Sequence, residues 1–332
     1  MSVRGAGTIG AGLAPARPAR PIAPGERIHV VGAEGAGASG AAILAAWAGA
    51  DVDGCDPGGP GPYAPALEAV GVPVAPAHDP VHVAGPRPPA RLAVTKALTA
   101  IDPHHPELRA ARERSIPLEP WQQVVADAAC GRLLIAVAGT HGKSTTAGWL
   151  VHTLAAVGAD PGAFVGALLP ASLTGIGVPA TARRGSGRAF VVEADEYAGN
   201  FDSYRPDIIV LTSAEWDHPD VFADREAVIG AFEAWIRRAA HGRGPDDPWP
   251  VLVANVGDAG VAEIVRRLAD WAGRVLPTAL DPSPGLDGVG GRVAGVDPGG
   301  TDLQIQTAAG VHEARLPTAG RHNASNALGV VG

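Results

Sequence analysis

The stretch LLIAVAGTHGKSTTAGWL at 133–150 restricts the possible folds of this chain more than any other part of its sequence. Its apolar beginning is typical of a buried strand, and apolar residues recur at helical spacing after Lys143. The glycines between these segments belong to the short pattern G-x-x-G-K-S. Backbone N–H groups at such a helix N-terminus attract phosphate; Lys143 can reach the terminal phosphates of a nucleotide, and Ser144 can ligate Mg²⁺. The alternative is a lysine that only caps a surface turn.

The composition indicates the general class of the protein and excludes some classes of partner. A length of 332 residues predicts two or three domains, and a hydrophobic content of 46% argues against global disorder. The net charge is −8 and no lysine-rich run is present. The sequence therefore predicts neither a nucleic-acid partner nor an anionic membrane surface. No apolar run approaches the ~20 residues of a membrane span, so a soluble, cytoplasmic protein is expected.

The chain is predicted to be an α/β protein with three regions. Residues 1–25 carry Arg, Pro and Gly but no apolar segment, which predicts a disordered leader and not a secretion signal. Residues 26–128 are predicted to form an N-terminal Rossmann-like domain with a parallel sheet. Residues 129–332 are predicted to form a central α/β domain built around the phosphate-binding turn.

The first predicted domain opens with a strand, a glycine-rich loop and a helix. The strand covers Arg27–Val31, the loop covers 32–40, and a second strand ends at Asp56. An acidic residue about twenty positions beyond the glycines resembles the spacing of a dinucleotide-binding unit. Glycines that serve only helix packing are the alternative. Glu34 argues against bound phosphate, because a carboxylate beside phosphate costs electrostatic energy unless it points away.

Two other groups of potential metal ligands are interpreted as structural. Cys55 and Cys130 have neither metal-ligand nor redox spacing, so inert thiols in a reducing compartment are expected. His104 and His105 are adjacent on a predicted loop, where two neighbouring side chains seldom reach one ion. A solvated pair of histidines is therefore expected.

In the second predicted domain, polar residues follow successive strands. Glu193 follows a strand at 189–192, and His218 lies beyond the strand at 208–211. Ligands bind at the carboxyl ends of strands in parallel α/β sheets, so Glu193 is well placed for Mg²⁺ beside the phosphate turn. A solvated acidic loop and a structural histidine are the alternatives. Near the end of the chain, Asn323 and Asn326 are predicted to share a helix face and could contact a base or ribose.

Four motifs occur in an order that resembles the Mur ligases, the ATP-dependent ligases of peptidoglycan precursor synthesis. They are GTHGKST (139–145), EADEY (193–197), TSAEWDH (212–218) and GRHNASNAL (320–328). The first domain resembles the family member that joins L-alanine to UDP-N-acetylmuramate. That likeness is carried by IHVVGAEGAGASG (28–40), GCD (54–56) and DPHHPELRAARERSIP (102–117).

The resemblance implies a set of site residues. The ATP phosphates would be held by Gly139, Thr140, His141, Gly142, Lys143, Ser144 and Thr145, and the ribose or base would be faced by His322, Asn323 and Asn326. One Mg²⁺ would be bound by Ser144 and Glu193, and a second by His218 with Glu193. Lys143, Glu193 and His218 are thereby the expected catalytic residues. The UDP part of the sugar substrate would be held by the 32–40 loop with Asp56, through Gly32, Gly35, Gly37, Ser39 and Asp56.

The chain departs from the family pattern at three places. Ser213 stands where members usually have Asn, and Ala33-Glu34 stands where Ile-Gly is usual. The resemblance covers two of the family's three domains. The third domain, which binds the incoming amino acid and closes over ATP, is therefore expected to be absent from this chain.

The chemistry implied by the resemblance is amide formation through an acyl phosphate, with UDP-N-acetylmuramate and L-alanine as substrates and ATP and Mg²⁺ as cofactors. One alternative is a murein-peptide ligase that recycles a tripeptide onto the same sugar nucleotide. Another is a truncated or catalytically silent protein that binds nucleotide and UDP-sugar, and a distant one is a dinucleotide oxidoreductase. The choice of amino acid and the oligomeric state stay open.

Overall fold

A computed structural model describes residues 9–241 and 248–332 of the chain. The strands are β1 (Arg27–Val31), β2 (Asp51–Cys55), β3 (Val74–Ala75), β4 (Arg91–Val94), β5 (Leu118–Pro120), β6 (Leu133–Ala138), β7 (Gly162–Leu169), β8 (Ala180–Arg183), β9 (Ala189–Ala194), β10 (Ile208–Leu211), β11 (Val251–Asn255), β12 (Arg274–Leu280), β13 (Val289–Asp297), β14 (Gly300–Thr307) and β15 (Gly310–Leu316). The α-helices are α1 (Ala36–Trp47), α2 (Ala64–Ala69), α3 (Val81–Ala84), α4 (Lys96–Ile101), α5 (Pro106–Glu113), α6 (Trp121–Ala128), α7 (Lys143–Ala156), α8 (Ala171–Thr174), α9 (Arg225–Ala239), α10 (Ala259–Arg267) and α11 (Arg321–Val331).

The chain divides into two compact units. Unit 1 comprises Met1–Arg132, Leu154–Phe190 and Asn200–Tyr204, and unit 2 comprises Leu133–Thr153, Val191–Gly199 and Arg205–Gly332. This division differs from the domain boundary predicted after residue 128, because the segment after α7 clusters with the N-terminal unit. Among the described residues, no helix combines the length and apolarity that crossing a membrane requires.

Unit 1 contains a parallel five-stranded sheet. Its strand order is β3-β2-β1-β4-β5, with β1 in the middle and Val31 opposite Cys55 in the register with β2. The apolar residues of β1 are buried, and α1 follows the glycine loop with most of its residues buried. The prediction of a Rossmann-like parallel sheet is confirmed.

Residues 9–25, which the sequence predicts to be disordered, instead make defined contacts within unit 1. Arg17 Nε donates to Glu119 Oε1 at 2.8 Å, and Arg17 Nη2 donates to Asp127 Oδ2 at 2.7 Å. Ile22 is buried as well. The composition of this segment did not reveal that two of its side chains have partners in the folded unit. Residues 1–8 lie outside the described part of the chain.

Unit 2 contains a mixed sheet with the order β15-β14-β13-β12-β11-β10-β6-β9. Strands β6, β10, β11, β12 and β13 are parallel from one to the next, and β13, β14 and β15 pair antiparallel. Because β6, β10 and β11 are parallel, the residues after Ala138, Leu211 and Asn255 meet at one edge of the sheet. This edge carries the turn at 139–142 that is predicted to bind phosphate, and the predicted α/β fold class is confirmed.

Candidate functional site

The predicted phosphate turn connects β6 to α7 in unit 2. Gly139 and Gly142 have φ values of +136° and +84°, which L side chains rarely adopt. A Cβ at Gly139 would lie 2.2 Å from Thr212 Oγ1, and one at Gly142 would lie 2.5 Å from Asn326 Oδ1. Both glycines are therefore required by backbone conformation and by close neighbours.

Hydroxyl groups of the loop after β10 hold this turn in place. The backbone N–H of His141 donates to Ser213 Oγ at 2.9 Å, and Ser213 Oγ donates to the His141 carbonyl at 3.2 Å. Thr212 Oγ1 also donates to that carbonyl. Ser213, one of the departures from the family pattern, thus has a local structural role beneath the turn.

Gly139→Ala should destabilise the chain by about 1–3 kcal/mol, because the added methyl group meets Thr212 at an unfavourable φ. Urea unfolding monitored by circular dichroism measures the change in the free energy of unfolding. The matched control is Gly148→Ala in α7, where a Cβ would meet nothing within 4 Å. The control should leave stability unchanged or raise it by up to about 1 kcal/mol, since alanine favours helix. Equal stabilities of the two variants would contradict the argument.

Lys143, the first residue of α7, points to the acidic segment after β9. Its Nζ donates to Glu196 Oε2 at 3.0 Å and lies 3.6 Å from Asp195 Oδ1. The Glu196 side chain is only 1% exposed, and burial raises its pKa, although the positive charge of Lys143 partly opposes this shift. The lysine therefore compensates a carboxylate that would otherwise be costly to bury.

The predicted metal ligands form two neighbouring groups, one with Ser144 and Glu193 and the other with His218. Ser144 Oγ donates to Glu193 Oε1 at 2.8 Å, which brings these two predicted ligands together. His218 Nε2 instead lies 4.0 Å from Glu196 Oε1, and Asp195, Glu196 and His218 form a group whose ligand atoms lie within 4.8 Å of one another. The structure thus places His218 beside Asp195 and Glu196.

The donor set fits Mg²⁺ bound together with nucleotide phosphates. Carboxylate and hydroxyl oxygens are the hard ligands that Mg²⁺ prefers, and the turn supplies N–H groups for phosphate. Glu196 Oε1 is buried and, within the described residues, has no hydrogen-bond donor. A buried carboxylate oxygen that lacks a donor is suited to a cation or to water on a cation.

His218 is held in a left-handed backbone conformation, with φ of +55°. Its ring contacts the Tyr197 ring edge-on at a centroid distance of 5.0 Å, and Tyr197 Oη donates to Asp220 Oδ2 at 2.8 Å. Strained positive-φ residues often lie at functional sites, and here the conformation turns the imidazole towards the acidic segment.

A cavity of about 580 Å³ in unit 2 adjoins the phosphate turn. Its lining residues come from the turn, from the carboxyl ends of β10, β11 and β12 with the segments after β10 and β11, and from α11: His141, Gly142, Thr212, Ser213, Glu215, Asn255, Gly257, Asp258, Leu280, Arg321, His322, Ser325 and Asn326. The volume is in the range of small-molecule sites. The cavity borders the turn at Gly142, the residue that precedes Lys143.

Helix α11 brings only two of its three predicted nucleotide contacts to this cavity. Ala324, Ala327 and Leu328 bury one face of the helix against β13 and β14. His322 and Asn326 line the cavity from the other side. Within the described residues, Asn323 is not part of this lining, and its Nδ2 donates to the Ala319 carbonyl at 2.8 Å. The prediction that Asn323 faces the nucleotide has no support in this geometry.

The residues of unit 1 that are predicted to bind the UDP-sugar differ in the contacts that they make. Gly32 has φ of +72° and Gly35 precedes α1, so both shape the loop. Gly37 lies against the Trp121 ring, and buried Ser39 donates to the Ala36 carbonyl at 3.0 Å. Gly37 and Ser39 therefore serve packing, the alternative considered for the glycine loop.

Carboxylates shape the rim of the same loop. Asp56 accepts hydrogen bonds from the backbone N–H groups of Glu34 and Gly58, at 3.0 and 2.9 Å. Glu34 Oε2 accepts from the N–H of Gly61 at 2.6 Å. The Glu34 carboxylate, whose charge argues against bound phosphate, is thus used by the adjoining loop.

The adjacent histidines of unit 1 differ in burial. His104 is exposed, whereas His105 is 2% exposed. The prediction of a solvated pair is wrong for His105, because α5 begins at Pro106 and His105 at its N-cap is directed inward.

Several residues that contribute to the unit 2 site were missed as individual ligands. Glu196 and Asp195 lie in the EADEY motif, from which only Glu193 was selected. Asn255 donates from Nδ2 to the Thr212 carbonyl at 2.8 Å, and Asp258 accepts from the Ala214 N–H at 3.1 Å. Their position after β11, a third parallel strand, is a signal that could have identified them.

Two family models match the chain and together cover most of its length. Residues 27–132 match the model described as Mur ligase family, catalytic domain, and residues 137–332 match the Mur ligase middle domain.

Among curated relatives, a UDP-N-acetylmuramate–L-alanine ligase of Kineococcus radiotolerans is 35% identical over 302 residues, covering 91% of this chain and 59% of the relative. The protein of the same name from Mycobacterium sp. strain JLS is 36% identical over 309 residues, covering 92% of this chain and 60% of the relative.

Solved structures agree with the fold. The UDP-N-acetylmuramate:L-alanyl-gamma-D-glutamyl-meso-diaminopimelate ligase from Neisseria meningitides has a TM-score of 0.75 at 24% identity, with 92% of each chain covered. The UDP-N-acetylmuramate-alanine ligase from Thermotoga maritima has a TM-score of 0.69 at 23% identity, covering 92% of this chain and 64% of that one. At these identities the likeness concerns the fold alone.

Proposed function

Because the chain belongs to the Mur ligase family, we propose that it forms the nucleotide-binding and sugar-binding parts of an ATP-dependent amide-forming ligase of peptidoglycan precursor synthesis. The proposed reaction joins L-alanine to UDP-N-acetylmuramate. Curated relatives with that name, at about 35% identity, support this choice of substrates over the murein tripeptide. The chain spans about 60% of the length of these relatives.

The observation that carries the proposal is the position of Lys143. It begins the helix after the phosphate turn and lies within 3.6 Å of both Asp195 and Glu196. A lysine flanked by a nest of N–H groups and by carboxylates can neutralise phosphate while the carboxylates hold a cation. An ordinary surface turn offers no reason for such a lysine to face a buried carboxylate.

We assign separate tasks to the residues of unit 2. The turn from Gly139 to Thr145 would bind the ATP phosphates through Lys143 and through the N–H groups at the start of α7. Ser144 and Glu193 would hold one Mg²⁺, and His218 with Asp195 and Glu196 would serve a second. Mg²⁺, when bound, withdraws charge from the γ-phosphate. His322 and Asn326 would contact the ribose or base from the neighbouring cavity.

In the proposed reaction, the carboxylate of the sugar nucleotide attacks the γ-phosphorus, and ADP leaves as the new carboxyl–phosphate bond forms. The amine of L-alanine then attacks the acyl carbon and displaces inorganic phosphate, with loss of a proton from nitrogen. The chain contributes mainly positioning and charge neutralisation, which dominate catalysis of phosphoryl transfer. The UDP group is assigned to the unit 1 loop through Gly32, Gly35 and Asp56.

Calorimetry and turnover together test this function. We expect the chain to bind ATP in the presence of Mg²⁺ and, separately, UDP-N-acetylmuramate. With the family's third domain supplied in trans, L-alanine should support ADP release and formation of the alanyl product. The tripeptide L-alanyl-γ-D-glutamyl-meso-diaminopimelate is the competing amine substrate. Preference for the tripeptide would contradict the proposed substrate, and failure to bind either nucleotide would contradict the proposed site.

A further inference from the structure

A buried group of metal-ligating side chains lies in unit 1 and has no task in the proposed reaction. It consists of four imidazoles, a thiol and a carboxylate: His29, Cys55, His78, His82, His105 and Glu107. We refer to it as the His–Cys–Glu cluster. The residues come from β1, from the end of β2, from the segment that includes α3, and from the start of α5. Each of Cys55 and Glu107 is 0% exposed.

The ligand atoms of four members of the cluster converge on one point. Cys55 Sγ lies 3.4 Å from His29 Nε2 and 3.1 Å from Glu107 Oε2. His82 Nδ1 lies 2.6 Å from Glu107 Oε1, and all four ligand atoms lie within 4.8 Å of one another. Around a tetrahedral zinc ion with bonds of ~2.0–2.3 Å, the ligand atoms are separated from one another by distances comparable to those in this cluster. Small shifts of the side chains would therefore be enough to admit an ion.

One imidazole of this cluster has no hydrogen-bond partner within the described residues, and the thiol is surrounded by other ligand atoms. Sγ of Cys55 also lies 3.0 Å from His78 Nδ1, so three ligand atoms of the cluster lie within 3.4 Å of this sulfur. His105, 2% exposed, packs on the His78 ring at 4.4 Å, and neither of its ring nitrogens has a hydrogen-bond partner within the described residues. A buried imidazole without a partner is costly, and one of its nitrogens lies in the group formed with His78 and Glu107.

An outer carboxylate orients the imidazole of His29. His29 Nδ1 lies 2.6 Å from Asp53 Oδ1, and the other oxygen of Asp53 accepts from Arg27 at 2.6 Å. Asp53 thus faces Nδ1, and Nε2 faces Cys55 and Glu107. A carboxylate–histidine pair of this kind commonly supports a metal-ligating histidine.

We propose that unit 1 binds a Zn²⁺ ion through Cys55 Sγ, His29 Nε2, His82 Nδ1 and Glu107. The ligand set of one thiolate, two imidazoles and one carboxylate is suited to zinc and unsuited to Mg²⁺, which prefers oxygen ligands. Binding displaces the thiol proton of Cys55, which passes to solvent as the sulfur–zinc bond forms. The proposal does not depend on the function assigned to unit 2.

The ion would connect segments that are distant in sequence. It would join β1 and β2 to α3 and α5, and the Cys55 carbonyl already accepts hydrogen bonds from the N–H groups of Gly32 and Ala33. A closed four-ligand site of this kind stabilises structure rather than catalysing a reaction. The zinc ion would thereby fix the base of the glycine loop.

Metal content and cobalt spectroscopy test the proposal on the full chain. Protein purified without chelator should contain a single zinc ion per chain by mass spectrometry. Replacement by Co²⁺ should give tetrahedral absorption together with a thiolate-to-cobalt charge-transfer band. Cys55→Ser should lose that band, whereas the matched control Cys130→Ser should retain it. His82→Gln should release the metal, and the control substitution of exposed His104 by Gln should not.

A variant of Asp53, which contacts His29 and not the proposed ion, separates metal binding from simple packing. Asp53→Asn keeps the shape of the side chain but removes the charge that supports His29, and it should lower zinc affinity by about 10–100-fold. Competition with a chromophoric chelator measures this change. If Cys55→Ser does not fold, wild-type chain stripped of metal and checked by circular dichroism is titrated with Co²⁺. A folded chain that binds no Co²⁺, or a charge-transfer band that persists in Cys55→Ser, would overturn the proposal.

Discussion

Lys143→Ala should weaken binding of ATP–Mg²⁺ by about 10–100-fold, because it removes a charge-assisted hydrogen bond worth about 1.5–3 kcal/mol. The effect on ADP release should be larger, about 1,000-fold or more, since charge on the transferred phosphoryl group is then less well neutralised. Calorimetry measures the affinity on the chain itself. ADP release is measured with UDP-N-acetylmuramate, L-alanine and the family's third domain.

The lysine variant also needs a stability control, because Lys143 compensates the buried carboxylate of Glu196. Removing the lysine alone leaves that charge without its cation and should raise the pKa of Glu196 further. Adding Glu196→Gln to Lys143→Ala should restore stability but not ADP release. Lys96→Ala changes the only other lysine of the chain and should leave both affinity and turnover unchanged. Wild-type turnover in Lys143→Ala would contradict the role assigned to this residue.

Arg91→Met should destabilise the chain by about 3–5 kcal/mol, the usual effect of breaking a buried ion pair from one side. The Arg91 side chain is 2% exposed, and its Nη1 donates to Glu119 Oε2 at 2.7 Å and to Asp127 Oδ2. Met fills much of the same volume but leaves both carboxylates with Arg17 as their remaining strong cationic partner. Urea unfolding measures the loss of stability.

Two further measurements test the electrostatic origin of this effect. Arg87→Met removes an exposed ion pair with Asp51 and should change stability by about 0–1 kcal/mol. Burial raises the pKa of Asp127, but hydrogen bonds from the Arg17 side chain, the Arg20 backbone N–H and the Arg91 side chain outweigh burial and hold the pKa below its usual value. Stabilisation from this carboxylate is therefore present above about pH 4 and lost as the pH falls further. The difference between wild type and Arg91→Met should shrink over that acidic range; a difference independent of pH would indicate lost packing instead.

The sequence predicted the strand, turn and helix start at 133–150 well because its signals are local. An apolar run, two glycines and a lysine within eleven residues determine a strand, a turn and a helix start, and β6 and α7 have these positions. The carboxylate that meets Lys143 could not be chosen in the same way. The EADEY motif offers three acidic residues, and only the packing of the folded chain decides that Glu196 is the one that is buried.

The His–Cys–Glu cluster could not be predicted from the sequence for a different reason. Metal sites are recognised in sequences by short spacings between ligands, whereas these ligands extend from His29 to Glu107 and meet only when the first sheet and its helices have formed. Similarly, helical spacing placed Asn323 and Asn326 on one face. In the structure, however, the side-chain amide of Asn323 donates a hydrogen bond to the Ala319 carbonyl. Helical periodicity contains no information on such a local hydrogen bond.

The hydroxyl groups beneath the phosphate turn have a mechanical consequence. Thr212 and Ser213 form hydrogen bonds with the backbone of His141. The loop that carries these two hydroxyl groups continues to His218. We therefore expect the turn at 139–145 and His218 to move together when this loop is displaced, because hydrogen bonds to Thr140 and His141 join the turn to the loop that carries the imidazole.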